Sequence, residues 1–255
     1  MSKELQDNVI LITGASKGIG RALALELACN EGAHVVACAR SFGELQALKA
    51  ECEAISIHLC DVSRPETMDA LFSHIKSEYG RLDIVVNNAS ILGPTTSVRE
   101  IDEQKWQKVV DVNLNGSFYI AKRSLPLLDK SVRKPGVVLN MSSSVGRKTR
   151  AQWGAYSVSK YGLEGLSHLI STEEDPRAII SVTLNPGGTA TQMRAEAYPD
   201  EDPATLPSAR KVAQSAILLM KLVGAEQTGA QYSSRALFDF LERDEVSVSD
   251  LPTDN

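Results

Sequence analysis

Residues 8–13 form an almost wholly apolar run that stops on Thr13-Gly14-Ala15-Ser16-Lys17-Gly18-Ile19-Gly20, and residues 19–30 continue with helical spacing and good helix formers. A strand, a glycine turn and a helix in direct succession leave few folds open. Glycines let the chain reverse tightly, and the helix that follows presents free N–H groups to an anion. The spacing is G-x-x-x-G-x-G, not the commoner G-x-G-x-x-G. A glycine cluster alone is compatible with an ordinary tight turn. Its position, closing the first strand and opening the first helix, points to a dinucleotide pyrophosphate instead. Gly14, Ser16, Lys17, Gly18, Ile19 and Gly20 are the candidate contacts.

The rest of the chain keeps the same rhythm. Further strands are expected at residues 33–39, 55–60, 82–87, 137–141, 179–184 and 230–233. Helices are expected from Pro65, over about 103–128 and 155–172, and over 208–223. Alternation of this kind implies parallel pairing through right-handed crossovers. The expected fold is therefore α/β, a single doubly wound, Rossmann-type domain over residues 1–241 with a parallel sheet of about seven strands. Residues 186–207 look irregular, and the acidic, polar stretch 242–255 reads as a flexible tail.

Charge and cysteine usage narrow the function. Lys plus Arg is 27 against 32 Asp plus Glu, a net charge of −5, which argues against nucleic acid as a partner. No apolar run reaches the roughly 18–20 residues of a membrane helix, and the polar start of the chain has no signal core, so a cytoplasmic location is expected. Cys29, Cys38, Cys52 and Cys60 form no C-x-x-C pair, and the four histidines are scattered; they read as structural, with no metal site.

Where the second strand ends, an NAD site usually places an acidic residue for the ribose 2′-hydroxyl. Here the residues are Ala39-Arg40, and Lys17 adds a second cation. Two cations without a carboxylate favour a 2′-phosphate, hence NADP(H): Arg40 grips it in a fork and Lys17 acts as a point charge.

Tyr156-Ser157-Val158-Ser159-Lys160 sets a phenol and an ammonium one helical turn apart. A nearby cation favours the phenolate, and such a tyrosine can exchange a proton with a substrate oxygen. Y-x-x-x-K is common, but Ser143 precedes Tyr156 by thirteen residues at the end of an expected strand. With Thr13–Gly20, Asp61-Val62, Asn87-Asn88-Ala89-Ser90, Asn113, Asn185-Pro186-Gly187 and Thr191 in order, the chain resembles a classical short-chain dehydrogenase/reductase over roughly residues 8–235.

That resemblance implies roles. Tyr156 would be the general acid in reduction, Lys160 would lower its pKa and bind the nicotinamide ribose, Ser143 would bond the carbonyl oxygen, and Asn113 would hold a relay water. Asp61 and Val62 would contact adenine; Asn88 and Ala89 would line the adenosine ribose; Pro186, Gly187, Thr189 and Thr191 would contact the nicotinamide. Ser142 and Ser144 read as capping and turn residues.

Trp153, Ser171-Thr172-Glu173-Glu174 and Thr191-Gln192-Met193 are similar to the benzil-reductase and sepiapterin-reductase branch. Ser233 stands where a sepiapterin reductase carries its pterin-anchoring aspartate. The expectation is therefore an NADPH-dependent carbonyl reductase of a hydrophobic or aromatic ketone or diketone, with Ile91, Leu92, Trp153, Met193 and Tyr198 lining the pocket and residues 186–207 acting as a lid. Trp153 could equally be plain core. The competing readings are a sepiapterin-type enzyme, an NAD-linked alcohol dehydrogenase and a catalytically silent NADP(H)-binding scaffold. The resemblance also implies a homodimer, or a tetramer, through the long helices at 103–128 and 155–172.

Overall fold

The computed structural model describes residues 5–243 and 246–254. Its elements follow in the order β1 (Val9–Thr13), α1 (Gly18–Leu25), β2 (His34–Ala39), α2 (Phe42–Glu51), β3 (Ser56–Leu59), α3 (Met68–Glu78), β4 (Ile84–Asn87), α4 (Glu103–Val110), α5 (Gly116–Leu128), β5 (Gly136–Met141), α6 (Gly154–Glu173), β6 (Ile179–Asn185), α7 (Gln192–Ala197), α8 (Ala209–Leu222), β7 (Gln231–Ser233) and α9 (Ser234–Leu237). The seven strands form one sheet in the order β3-β2-β1-β4-β5-β6-β7, with every pair parallel. The order reverses between β1 and β4, where such sheets open a crevice at the carboxyl ends of their strands.

The continuous apolar run of β1 has a simple cause: both of its faces are covered. Ile10 and Ile12 pack in one layer with Leu23 of α1 and Ala216 and Met220 of α8. Val9 and Leu11 point the other way, toward Leu71 and Ile75 of α3 and Ile120 of α5. Behind the sheet, Asp83 is fully buried and satisfied. Its carboxylate accepts from Val9 N (2.8 Å), Ser131 Oγ (2.6 Å), Val132 N (2.9 Å) and Arg81 Nε (3.2 Å), tying β1, β4 and the turn after α5 together.

Four local expectations change. The helix expected at 103–128 is wound in two pieces around a wider π turn, Asp111–Asn115, which holds Asn113. Helix α2 went unforeseen because only Leu45 and Leu48 face inward from it. Within the segment expected to be irregular, Thr191 caps α7 by accepting from Arg194 N at 3.3 Å. The expected flexible tail instead docks in part: Leu251 is buried in the core layer of α8, Asp254 N donates to Gln231 O (2.8 Å), and Asp254 pairs with Arg147 (2.6 Å). Asp244, Glu245 and Asn255 of that stretch lie outside the described residues.

Candidate active site

The glycine turn is held against the end of β4 by side chains. Thr13 Oγ1 accepts from Asn88 N and Ala89 N, both at 3.0 Å, and donates to Val86 O at 3.2 Å. Asn88 Nδ2 returns bonds to Thr13 O (2.9 Å) and Gly14 O (3.2 Å). There is no room for larger residues in this lock. Gly14 has φ +64° and a Cβ there would lie 2.8 Å from Ala89 Cα; a Cβ on Gly20 would overlap Asn88 Nδ2 and the Gly14 carbonyl. The N-terminus of α1 is left with no side-chain cap from Lys17.

A cleft of about 500 Å³ opens above this turn. Gly14, Ser16, Lys17, Gly18 and Ile19 of the turn line it, together with Arg40, Val62, Asn88 and Ala89. Tyr156, Lys160, Pro186, Thr191, Met193, Ile91 and Leu92 line the same cleft. Other expected contacts sit behind the wall. Gly20 packs under the turn, and Asp61 folds back on its own loop, its Oδ1 accepting from Ser63 N (3.0 Å) and Oγ (2.7 Å). Gly187 and Thr189 shape the loop after β6: Gly187 N donates to Asn185 Oδ1 (3.0 Å), and Thr189 Oγ1 to Gly187 O (3.3 Å).

Tyr156 and Lys160 both rise from the first turns of α6. Burial pushes the Tyr156 pKa up, and the hydroxyls of Ser143 and Ser90 beside it pull the other way without cancelling the shift. The expected pull from Lys160 is not what the geometry delivers. Its Nζ lies 5.6 Å from the centre of the Tyr156 ring and donates to the Met141 carbonyl at 2.7 Å. Burial lowers the Lys160 pKa to about 8, against the attraction of Glu164 one turn further on. Glu164 in turn accepts from Ser142 Oγ and from Arg147 Nε (2.9 Å), so Ser142 is more than a turn residue. The capping expected of Ser142 and Ser144 falls instead to Ser143, whose Oγ accepts from Val145 N at 3.5 Å at the start of the short turn Ser144–Gly146.

Asn113 is fully buried. Its Oδ1 accepts from Ile91 N (2.8 Å), and its Nδ2 donates to Ile91 O and Ser159 Oγ, both at 3.0 Å. The side chain thus clamps the strand-end loop to α6. Trp153 and Tyr198 do not line the cleft itself. They build an aromatic cluster behind Tyr156, with ring centres 5.7 Å apart for Trp153–Tyr156 and 6.0 Å for Trp153–Tyr198. Arg194 stacks 3.8 Å over Tyr198, and Arg150 bonds its hydroxyl.

Several residues of the site are not among the sequence-expected contacts, although Ser90 and Gln192 lie within motifs named above. Ser41, Cys60, Ser90, Gln192 and Glu196 also line the cleft, and Lys17 Nζ donates to Gln192 Oε1 at 3.3 Å. Glu44 stands 3.8 Å from Lys17, so a carboxylate does sit near the cationic end. The histidines expected to be scattered are partly gathered: the rings of His58 and His74 meet at a 45° tilt with centres 4.4 Å apart and share Ser56 Oγ.

This arrangement coincides with a family match: the short chain dehydrogenase family matches residues 8–202. The chain is 35% identical to an uncharacterized oxidoreductase, YciK, of Escherichia coli (strain K12), over 91% of this chain and 93% of that one. It is 36% identical to an NADPH-dependent pterin aldehyde reductase of Arabidopsis thaliana, over 74% of this chain and 78% of that one. Among solved structures, a short chain dehydrogenase of Shigella flexneri 2a str. 301 complexed with NADP superposes with a TM-score of 0.85 at 35% identity, covering 92% of this chain and all of that one, 100%. The chain belongs to the short chain dehydrogenase family.

Proposed function

We propose that the protein is an NADP(H)-dependent oxidoreductase that reduces the carbonyl group of a hydrophobic or aromatic ketone or diketone. The observation that carries the reading is the placement of Tyr156 and Lys160 across one cleft from the Thr13–Gly20 turn. The cleft fits a dinucleotide. Its glycine floor has no space for a Cβ at Gly14 or Gly20, and the uncapped N-terminus of α1 offers N–H groups to a pyrophosphate. Lys17, Arg40 and Ser41, which line the same cleft, suit a 2′-phosphate. The NADP complex of the Shigella protein and the NADPH dependence of the Arabidopsis relative support that choice.

NADPH supplies the hydride in such a site. The chain supplies orientation and the proton. Tyr156, kept protonated by burial, gives its hydroxyl proton to the carbonyl oxygen as negative charge develops there. Ser143, beside the same hydroxyl, donates a hydrogen bond to that oxygen. Lys160 spends one of its three N–H donors on Met141 and keeps two for ribose hydroxyls. Asn113, Asp61, Gly187 and Thr189 act from behind the wall, by holding the loops that touch cofactor.

Ile91, Leu92 and Met193 make the substrate end apolar, and Trp153 and Tyr198 back it with aromatic surface. The relative that reduces pterin aldehydes fits a planar substrate, though Ser233 at the end of β7 supplies no carboxylate for a pterin amine. We assign the working form as a homodimer in the cytoplasm. Phe118 of α5 and Val158, Tyr161 and Leu169 of α6 are 41–51% exposed on the two helices expected to pair. No helix among the described residues is long and apolar enough to cross a membrane.

The test is a screen of NADPH oxidation across diketones, aromatic ketones, quinones and pterins, repeated with NADH. Turnover of aromatic diketones with NADPH well ahead of NADH is the expected result. Equal efficiency with NADH would sink the 2′-phosphate assignment, and NADPH binding without turnover of any carbonyl would favour a silent scaffold.

A further inference from the structure

Ser90 sits in a segment whose backbone is fixed on both sides. Before it, Asn88 N and Ala89 N are bonded to Thr13 Oγ1; after it, Ile91 N and O are both held by Asn113. A side chain on so rigid a loop points where the backbone sends it. Ser90 Oγ is buried and, among the described residues, makes no full hydrogen bond, although it stands beside the Tyr156 hydroxyl. Other buried polar atoms share that condition, on Asn87, Glu164 and Ser234, but those residues do not line the cleft and Ser90 does. A buried hydroxyl without a partner costs stability, and such groups collect where function needs them.

What Ser90 faces is the Tyr156 hydroxyl, from which it and Ser143 both favour loss of the proton. We propose that Ser90 is a positioning residue of the proton-transfer step, donating a hydrogen bond to Tyr156 Oη once the phenol proton has passed to the substrate oxygen. Ser90 keeps its own proton throughout. One O–H bond breaks on Tyr156, one forms on the substrate, and the Ser90 hydroxyl turns its existing hydrogen toward the new phenolate. The phenolate is then flanked by Ser90 and Ser143, which suits a site where Lys160 is turned toward Met141. This inference rests on the reading of Tyr156 as proton donor.

The experiment compares wild type, Ser90→Ala and Ser90→Thr with NADPH and a carbonyl substrate found in the screen. In Ser90→Ala the higher of the two alkaline declines of kcat/KM for reduction, the one that belongs to Tyr156 and not to Lys160, is expected to move up by about one pH unit, the worth of one hydrogen bond to the charged form. Alcohol oxidation at neutral pH, which needs the phenolate, is expected to fall about tenfold with an unchanged NADPH Kd. Ser90→Thr restores both. A Tyr156 decline at the same pH in Ser90→Ala, or an effect confined to the KM of one substrate, overturns the proposal. Should Ser90→Ala fail to fold, Ser90→Cys, similar in size with a weaker donor, carries the same comparison. If no carbonyl is turned over, the proposed function fails, and Ser90 is judged separately by tyrosinate absorbance in the NADPH complex. The signal removed by Tyr156→Phe then titrates at higher pH in Ser90→Ala if the inference holds, and at the wild-type pH if it does not.

Discussion

Lys160 Nζ donates to the backbone carbonyl of Met141 at 2.7 Å while its charge sits 5.6 Å from the centre of the Tyr156 ring. The lysine is therefore held by β5, the strand that carries Ser143 just beyond its end, and not by the tyrosine it is expected to activate. An ammonium in that position is costly, since burial brings its pKa from 10.5 to about 8.

The cost is measurable as stability. The unfolded chain protonates this lysine below its ordinary pKa near 10.5, the folded chain only below about 8. Between those values the unfolded state binds more protons, so the contribution of Lys160 rises with pH through that window and is lost as pH falls through it. Below pH 8 the cost is of order 3 kcal/mol, offset in part by about 1 kcal/mol from the Met141 bond. Lys160→Met is expected to be inactive yet more stable than wild type by about 1–3 kcal/mol at pH 7, with the gain gone by pH 10.5. Urea unfolding at the two pH values checks it; a variant that is less stable at pH 7 would refute the account.

Much of this site was readable before the structure because strand β1 and its glycine turn are local. An apolar run buried on both faces, followed by glycines that no Cβ can replace, announces itself in consecutive residues. The sheet order did not: nothing within β4 says that it pairs with β1. Helix α2, with only Leu45 and Leu48 turned inward, and the six-residue α7 have too little periodicity to see. The contacts that set the chemistry are longer in range still. Ser142 meets Glu164 and Arg147 meets Asp254 only after folding, and Ser90 in the sequence is one serine after a turn.

Arg147 joins four distant parts of the chain. It bonds Glu164 on α6 (2.9 Å), Asp254 near the C-terminus (2.6 Å), Thr183 on β6 (3.0 Å) and the Tyr232 carbonyl on β7 (3.2 Å). Arg147→Ala leaves the buried Glu164 carboxylate with one hydrogen bond, from Ser142, and the Lys160 charge one turn away, and is expected to cost about 3 kcal/mol. Asp254 is a third exposed, so Asp254→Ala should cost about 1 kcal/mol or less. At roughly 2–4 °C per kcal/mol for a domain of this size, the melting temperatures of the two variants separate clearly. Equal losses would mean that the tail contact, not Glu164, carries the energy.

Tyr156→Phe removes the transferred proton and little else, because the ring keeps its packing on Trp153. Carbonyl reduction should fall by about 10²–10⁴, with NADPH affinity within a few-fold of wild type by fluorescence titration. In wild type, burial holds the proton on Tyr156 above its ordinary pKa, so the protonated acid persists through neutrality and reduction declines only on the alkaline side. Lys160 loses its charge nearer pH 8, so a first decline there is assigned to Lys160. A reduction rate that rises with pH between 6 and 8 would contradict this order of titration.

Two glycines separate a steric requirement from a propensity effect. A Cβ on Gly20 would collide with Asn88 Nδ2 and the Gly14 carbonyl, the groups that lock the glycine turn to the end of β4. Relief needs the turn to move away from Asn88, which opens the cleft floor. Gly20→Ala is therefore expected to destabilise by about 1–3 kcal/mol and to weaken NADPH binding by at least tenfold. Gly43 lies in the first turn of α2 and has no positive φ, and a methyl group added there would meet nothing within 4 Å. Gly43→Ala should stabilise by about 0.5–1 kcal/mol, through helix propensity alone, with NADPH affinity unchanged. Denaturant unfolding and NADPH titration on the pair decide the matter, since a Gly20→Ala variant that binds NADPH normally would show that the turn tolerates a side chain and is not the cradle assigned to it.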